Sequence, residues 1–165
     1  MKTLIYTAPL LIMLSLSALA QTSNGSRGQG YLFIAPGVGT ADYGGDLSGA
    51  FVHIGGGGEW FIYKGIGLGA EIGAVIFGGY SFGVGSVNVS YHFLPNATER
   101  KLEPFVSLGY GPLFRAGVTY GFNPGLGFNR WLNKNYALRF EVRYNSARHN
   151  GYGNLIGFRL GITLK

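Results

Sequence analysis

The chain contains no cysteine. That excludes disulfide frameworks, thiolate zinc sites, iron–sulfur clusters and thiol nucleophiles together. Charge is also scarce: Asp, Glu, Lys and Arg make up 12% of 165 residues, about half the share of an ordinary soluble domain. After residue 20 no run approaches 18 consecutive apolar residues, so no transmembrane helix is expected. What the chain has in excess is glycine (30 residues) and aromatics (15%). With hydrophobics at 47%, there is enough apolar surface to fold around.

The first 20 residues have the form of an export signal. Lys2 provides the positive start, Leu10-Leu11-Ile12-Met13-Leu14 the apolar centre, and Ala18-Leu19-Ala20 an A-x-A cleavage site before Gln21. A membrane anchor fits less well, because the apolar run is short and lacks a positive stop-transfer flank. The expected division is a signal peptide over 1–20, a flexible polar tail over 21–29 and a β-barrel domain over 30–165. A mature chain of 145 residues is one domain.

The dominant hydrophobic period is two. Tyr136, Leu138, Phe140, Val142 and Tyr144 share one face, and Ala137, Arg139, Glu141 and Arg143 the other. Eight such segments are expected, over about 30–38, 50–62, 66–76, 82–93, 103–114, 121–131, 136–145 and 152–165. One segment per 18 residues or so suits membrane strands of about 9–11 residues. Short turns are expected at 63–65, 94–101 and 132–135, and loops on the opposite side at 39–49, 77–81, 115–120 and 146–151.

Alternation does not say which face is wet, but composition does. A soluble barrel would clothe its exterior with charge. Here the polar face is mainly Gly, Ser, Asn and Thr, which suits a crowded interior, and the Leu, Ile, Val and Phe face suits lipid. Aromatics gather near strand ends, with Trp60, Tyr63, Trp131 and Tyr136 by the turns and Phe77, Tyr80, Tyr120, Phe122, Tyr144 and Tyr152 by the loops. Lipid enforces closure, because an open sheet edge would leave backbone groups unpaired. The expected fold is an all-β, eight-stranded antiparallel up-and-down transmembrane β-barrel. The competing arrangement is a secreted soluble ligand-binding barrel.

The charges expected inside are Glu59, Glu71 and Glu141 against Arg139, Arg143 and Arg159. They could share one layer, either as a constriction that selects small solutes or as an ion network that fills the core. Inward glycines (Gly55, Gly57, Gly67, Gly69, Gly109, Gly125, Gly127) either leave room for water or allow close backbone approach. His53 is expected to face inward, His92 to sit near a strand end and His149 in a loop; none has the spacing of a metal site. Gly55-Gly56-Gly57-Gly58 is no phosphate loop, since neither Lys-Ser/Thr nor a helix follows. Asn24, Asn88 and Asn96 match the glycosylation sequon by chance in a bacterial host. No catalytic residue, metal site or cofactor is assigned. The net charge of +6, or +5 once Lys2 leaves with the signal, forms no cluster on one element, so nucleic acid is not an expected partner. Arg27, Arg115 and Arg148 could instead meet anionic lipid headgroups.

The whole mature chain resembles the small outer-membrane β-barrel proteins of Gram-negative bacteria that share the OmpA-type transmembrane architecture. The resemblance is carried by His53-Ile54-Gly55-Gly56-Gly57-Gly58-Glu59-Trp60, by Tyr63-Lys64-Gly65-Ile66-Gly67-Leu68-Gly69-Ala70-Glu71-Ile72-Gly73, by Ser86-Val87-Asn88-Val89-Ser90-Tyr91-His92-Phe93, by Pro104-Phe105-Val106-Ser107-Leu108-Gly109-Tyr110-Gly111 and by Leu138-Arg139-Phe140-Glu141-Val142-Arg143. It looks most like the uncharacterised acidobacterial barrels. It implies an outer-membrane location, outer-membrane lipids and the barrel assembly machinery as partners, and a monomer with a structural, membrane-interacting or minor porin-like role. Such barrels usually end in an aromatic assembly signal, where this chain has Leu164-Lys165. The lipid A deacylases share the architecture and carry a His-x-Ser-Asn motif on a late strand. Here Tyr144-Asn145-Ser146-Ala147 falls in a comparable place, with Tyr144 where the activating histidine would stand and His149 beyond the strand.

Overall fold

A computed structural model describes residues 28–42, 46–93, 101–114, 117–146 and 153–165. The expected signal peptide, most of the expected polar tail, Tyr152, Asn24, Asn96, Arg27, Arg115, Arg148 and His149 lie outside the described residues, as does most of the expected 94–101 turn.

Period-two patterning is realised as eight strands: β1 (Gly28–Asp42), β2 (Asp46–Tyr63), β3 (Ile66–Phe77), β4 (Tyr80–His92), β5 (Leu102–Phe114), β6 (Val118–Trp131), β7 (Tyr136–Ser146) and β8 (Asn154–Leu164). Each pairs antiparallel with its sequence neighbour, and β1 pairs with β8 to close the barrel. Local turn chemistry sets two registers. Lys64-Gly65 and Gly78-Gly79 all have positive φ, the two-residue hairpin geometry whose twist matches the strands it joins. Three ladders skip residues, β1–β8 beside Pro36, β4–β5 beside Pro112 and β6–β7 beside Pro124. Proline has no N–H to give a ladder, so pairing lapses there and resumes in register.

Several boundaries differ from the sequence expectation. β1 begins at Gly28, with Gln29 fully buried, because its amide finds a carboxylate partner inside the barrel. The loops expected at 39–49 and 115–120 shrink, since β1 and β2 pair as far as Asp42 and Asp46, and β5 and β6 as far as Phe114 and Val118. A ladder needs only backbone groups, so it continues beyond the stretch that apolar side chains mark.

The exterior is a belt of exposed apolar side chains. Leu126 is 62% exposed, Val87 66% and Phe158 60%, and no soluble surface leaves so many open to water. Trp60, Tyr63, Tyr91 and Tyr136 ring the turn end, and Tyr80, Tyr110 and Tyr120 the loop end. Two expected girdle members turn inward instead. Phe77 is buried with Phe51, Val75, Phe82, Val84, Leu113 and Leu155 in an apolar cluster that fills the loop-side third of the interior. Trp131 is half-buried, its indole N–H held inside by a carboxylate.

Leu126 lies near the middle of β6 on the outer face, where an arginine costs about 2–4 kcal/mol at the bilayer midplane. Leu126→Arg should lower unfolding stability in phosphatidylcholine vesicles by about that amount. On a water-facing exterior the change would stay within about 0.5 kcal/mol.

Candidate functional site

Below the apolar cluster, strand parity aims polar side chains of all eight strands at the axis. The middle layer is built on β3, β7 and β8. Glu71 accepts two bonds from the Arg159 guanidinium, both at 2.7 Å, in a bidentate pair. Glu141 accepts Arg143 Nε at 2.6 Å and Arg139 Nε at 3.2 Å. Arg143 reaches on to Glu71 at 3.4 Å and Arg159 to Glu141 at 3.9 Å, so two carboxylates and three guanidiniums form one network. Ser107, Asn88 and Asn123 take the remaining Arg143 donors. Arg139 lies over the Tyr31 and Phe105 rings at 4.4 and 4.0 Å, and Arg159 over Phe33 at 4.0 Å. These cations therefore sit on π-faces as well as against carboxylates.

The inward glycines face neighbouring side chains and backbone, not open space. A Cβ at Gly109 would run into Asn88, Asn123 and Ser86, and one at Gly125 into Glu141 and Ser107. Phe33 covers Gly55, Tyr31 covers Gly57, Glu59 covers Gly67 and Phe105 covers Gly127. Of the two readings of these glycines, close approach is the one realised.

Glu59 does not join the middle layer. It lies toward the turn end with His92, whose Nε2 stands 3.0 Å from it and whose Nδ1 stands 2.6 Å from Glu103. Gln29 and Ser90 donate to Glu59, and Asn129 and Trp131 donate to Glu103. The expected balance of three acids and three bases thus misses two members. Glu103 is a fourth interior carboxylate, and the His92 imidazole stands between it and Glu59. His92 is fully buried, not merely terminal. Its parity with Ser86, Asn88 and Ser90 was legible, but its partners lie 33 and 11 residues away in sequence. Glu103 was hidden because Phe105, also inward, breaks the polar alternation of β5.

His53 is buried as expected, edge-on to Phe33. Among the described residues no group of three His, Asp or Glu is arranged to hold a metal ion. Ser146 closes β7 opposite Asn154, and Tyr144 Oη donates to Asn154 Oδ1 at 2.8 Å. Among the described residues no histidine or carboxylate bonds Ser146.

A closed eight-stranded antiparallel barrel with an apolar belt, aromatic girdles and a polar core has the fold of the small outer-membrane β-barrels. Among solved structures the chain is similar to the N-terminal β-barrel domain of Pseudomonas aeruginosa OprF, at 17% identity over 82% of this chain and 96% of that one, with a TM-score of 0.57. It is also similar to Neisserial surface protein A, at 14% identity over 83% and 96%, with a TM-score of 0.59. At such identities the likeness is one of fold. No protein-family model and no curated protein matches the chain.

Removing Glu141 would leave Arg139 and Arg143 buried without their shared carboxylate, so Glu141→Ala should cost about 3–5 kcal/mol in denaturant unfolding. The two layers also predict a pattern of coupling. Glu59 and His92 touch, so their double-mutant cycle should give about 0.5–3 kcal/mol, whereas Glu59 and Arg159 share no partner and should add within about 0.5 kcal/mol.

Proposed function

We propose that this chain is a structural, membrane-interacting outer-membrane protein with a sealed interior and no catalytic role. The barrel resides in the outer membrane of a Gram-negative bacterium, with the strand ends joined by short turns facing the periplasm and outer-membrane lipids as its principal partner. It is inserted by the barrel assembly machinery and acts as a monomer.

One observation carries the sealed reading. A water-filled lumen would leave its lining accessible, but Arg143 is 1% exposed, Arg159 2%, and Arg139 and Glu141 3%. Above them the aromatic and aliphatic cluster around Phe51 and Phe82 closes the loop side. Eight strands enclose a space that side chains just fill, so charges there act as core when they are paired in this way.

Purified full-length protein in planar bilayers should give no sustained conductance steps. Regular steps from the wild-type protein, abolished by enlarging the Phe82 side chain to Trp, would replace this reading with a small-solute path.

A further inference from the structure

The described charges are distributed unevenly. Apart from Arg139, Arg143 and Arg159 inside, every described cation (Lys64, Lys101, Arg130, Lys134 and Lys165) stands at the turn end. The described carboxylates of that end, Glu59 and Glu103, are buried and bonded to His92. The turn end therefore carries more described cations than exposed described acidic side chains, with Lys165 also acting electrostatically on the buried Glu103.

Three of these lysines converge on one recess of about 380 Å³, lined by Lys101, Trp131, Leu132, Asn133, Lys134 and Lys165. It is a built feature. Trp131 N donates to Lys101 O at 2.8 Å, and Lys165 N to Asn135 O at 3.0 Å, which ties together the start of β5, the β6–β7 turn and the end of β8. Asn133 Oδ1 accepts the Asn135 and Tyr136 N–H groups, both at 2.9 Å, and fixes the turn that carries Lys134. Trp131 forms the floor, pinned from inside by Glu103 and covered by the Lys165 ammonium 3.8 Å from its ring. Beside these cations Leu132, 62% exposed, faces outward at the level of the turn-end girdle.

We infer that this recess binds the phosphate headgroup of an anionic phospholipid in the leaflet that meets the turn end. Lysine ammonium groups in a concave site suit a singly charged phosphodiester, and the neighbouring Leu132 and Trp131 suit the glycerol and upper acyl chain. A soluble phosphate would use the lysines but not the apolar edge, which is why the lipid is the occupant chosen. The inference rests on the membrane reading above.

The chain has only two tryptophans, Trp60 on the outer girdle and Trp131 in the recess, so each can be read alone. Full-length Trp60→Phe protein in vesicles carrying brominated phosphatidylglycerol should show stronger Trp131 quenching than with brominated phosphatidylcholine at equal fraction. The preference should fall about fivefold for each lysine removed, and vanish in K101Q/K134Q/K165Q. K64Q/R130Q, outside the recess, should keep most of it. Equal quenching by the two lipids, or loss of the preference in K64Q/R130Q but not in the triple variant, overturns the inference. So does inorganic phosphate shifting Trp131 emission where phosphatidylglycerol has no effect, which would make the occupant a soluble anion. The Trp131→Phe protein reports on the membrane reading separately. Trp60 should be quenched by both lipids alike, and quenching by neither means that the barrel is not in the bilayer.

Discussion

A charge placed inside an eight-stranded barrel has no solvent to return to, and this constraint organises the interior. Each buried carboxylate must find cations, and each guanidinium must spend its donors on neighbours within a lumen only as wide as the side chains themselves. Glu71 and Glu141 meet this by sharing Arg139, Arg143 and Arg159, while Asn88, Asn123 and Ser107 accept further Arg143 donors. At Gly109 the side chains of Asn88, Asn123 and Ser86 occupy the volume a Cβ would need, and at Gly125 those of Glu141 and Ser107 do. The polar face is thus almost free of charge in number yet dominated by charge in structure.

The same constraint divides the barrel along its axis. The loop side is closed by apolar packing, the middle by a guanidinium–carboxylate network, and the turn side by His92 between Glu59 and Glu103 under the Trp131 lid. Each layer meets different chemistry at its boundary. Burying the ions inside leaves the outer wall free to be wholly apolar, which is what lipid requires of it. Among the described residues, the cations with no place in the core stand at the turn end, where the wall ends and headgroups begin.

The architecture was legible in the sequence because period two dominates the strand centres and because the polar and apolar faces differ so sharply in composition. Trp131 and Phe77 were read as girdle residues, and Glu103 was not singled out. Near strand ends the alternation weakens, and an aromatic beside a turn looks like a girdle residue whether it faces lipid or the lumen. Parity would have placed Trp131 with Asn129 and Glu103 with Ser107, but Pro104 and inward Phe105 obscure that rhythm. Glu59, Glu71, Arg139, Glu141, Arg143 and Arg159 are buried. Their grouping into two layers depends on the stagger between distant strands, which no local pattern records.

The measurement nearest the central claim is electrophoresis of the membrane fraction from expressing cells, unboiled beside boiled. A closed barrel with its apolar face in lipid should require detergent for extraction and change mobility only on boiling. A periplasmic protein soluble without detergent, with one mobility before and after boiling, would mean that the faces are assigned the wrong way round.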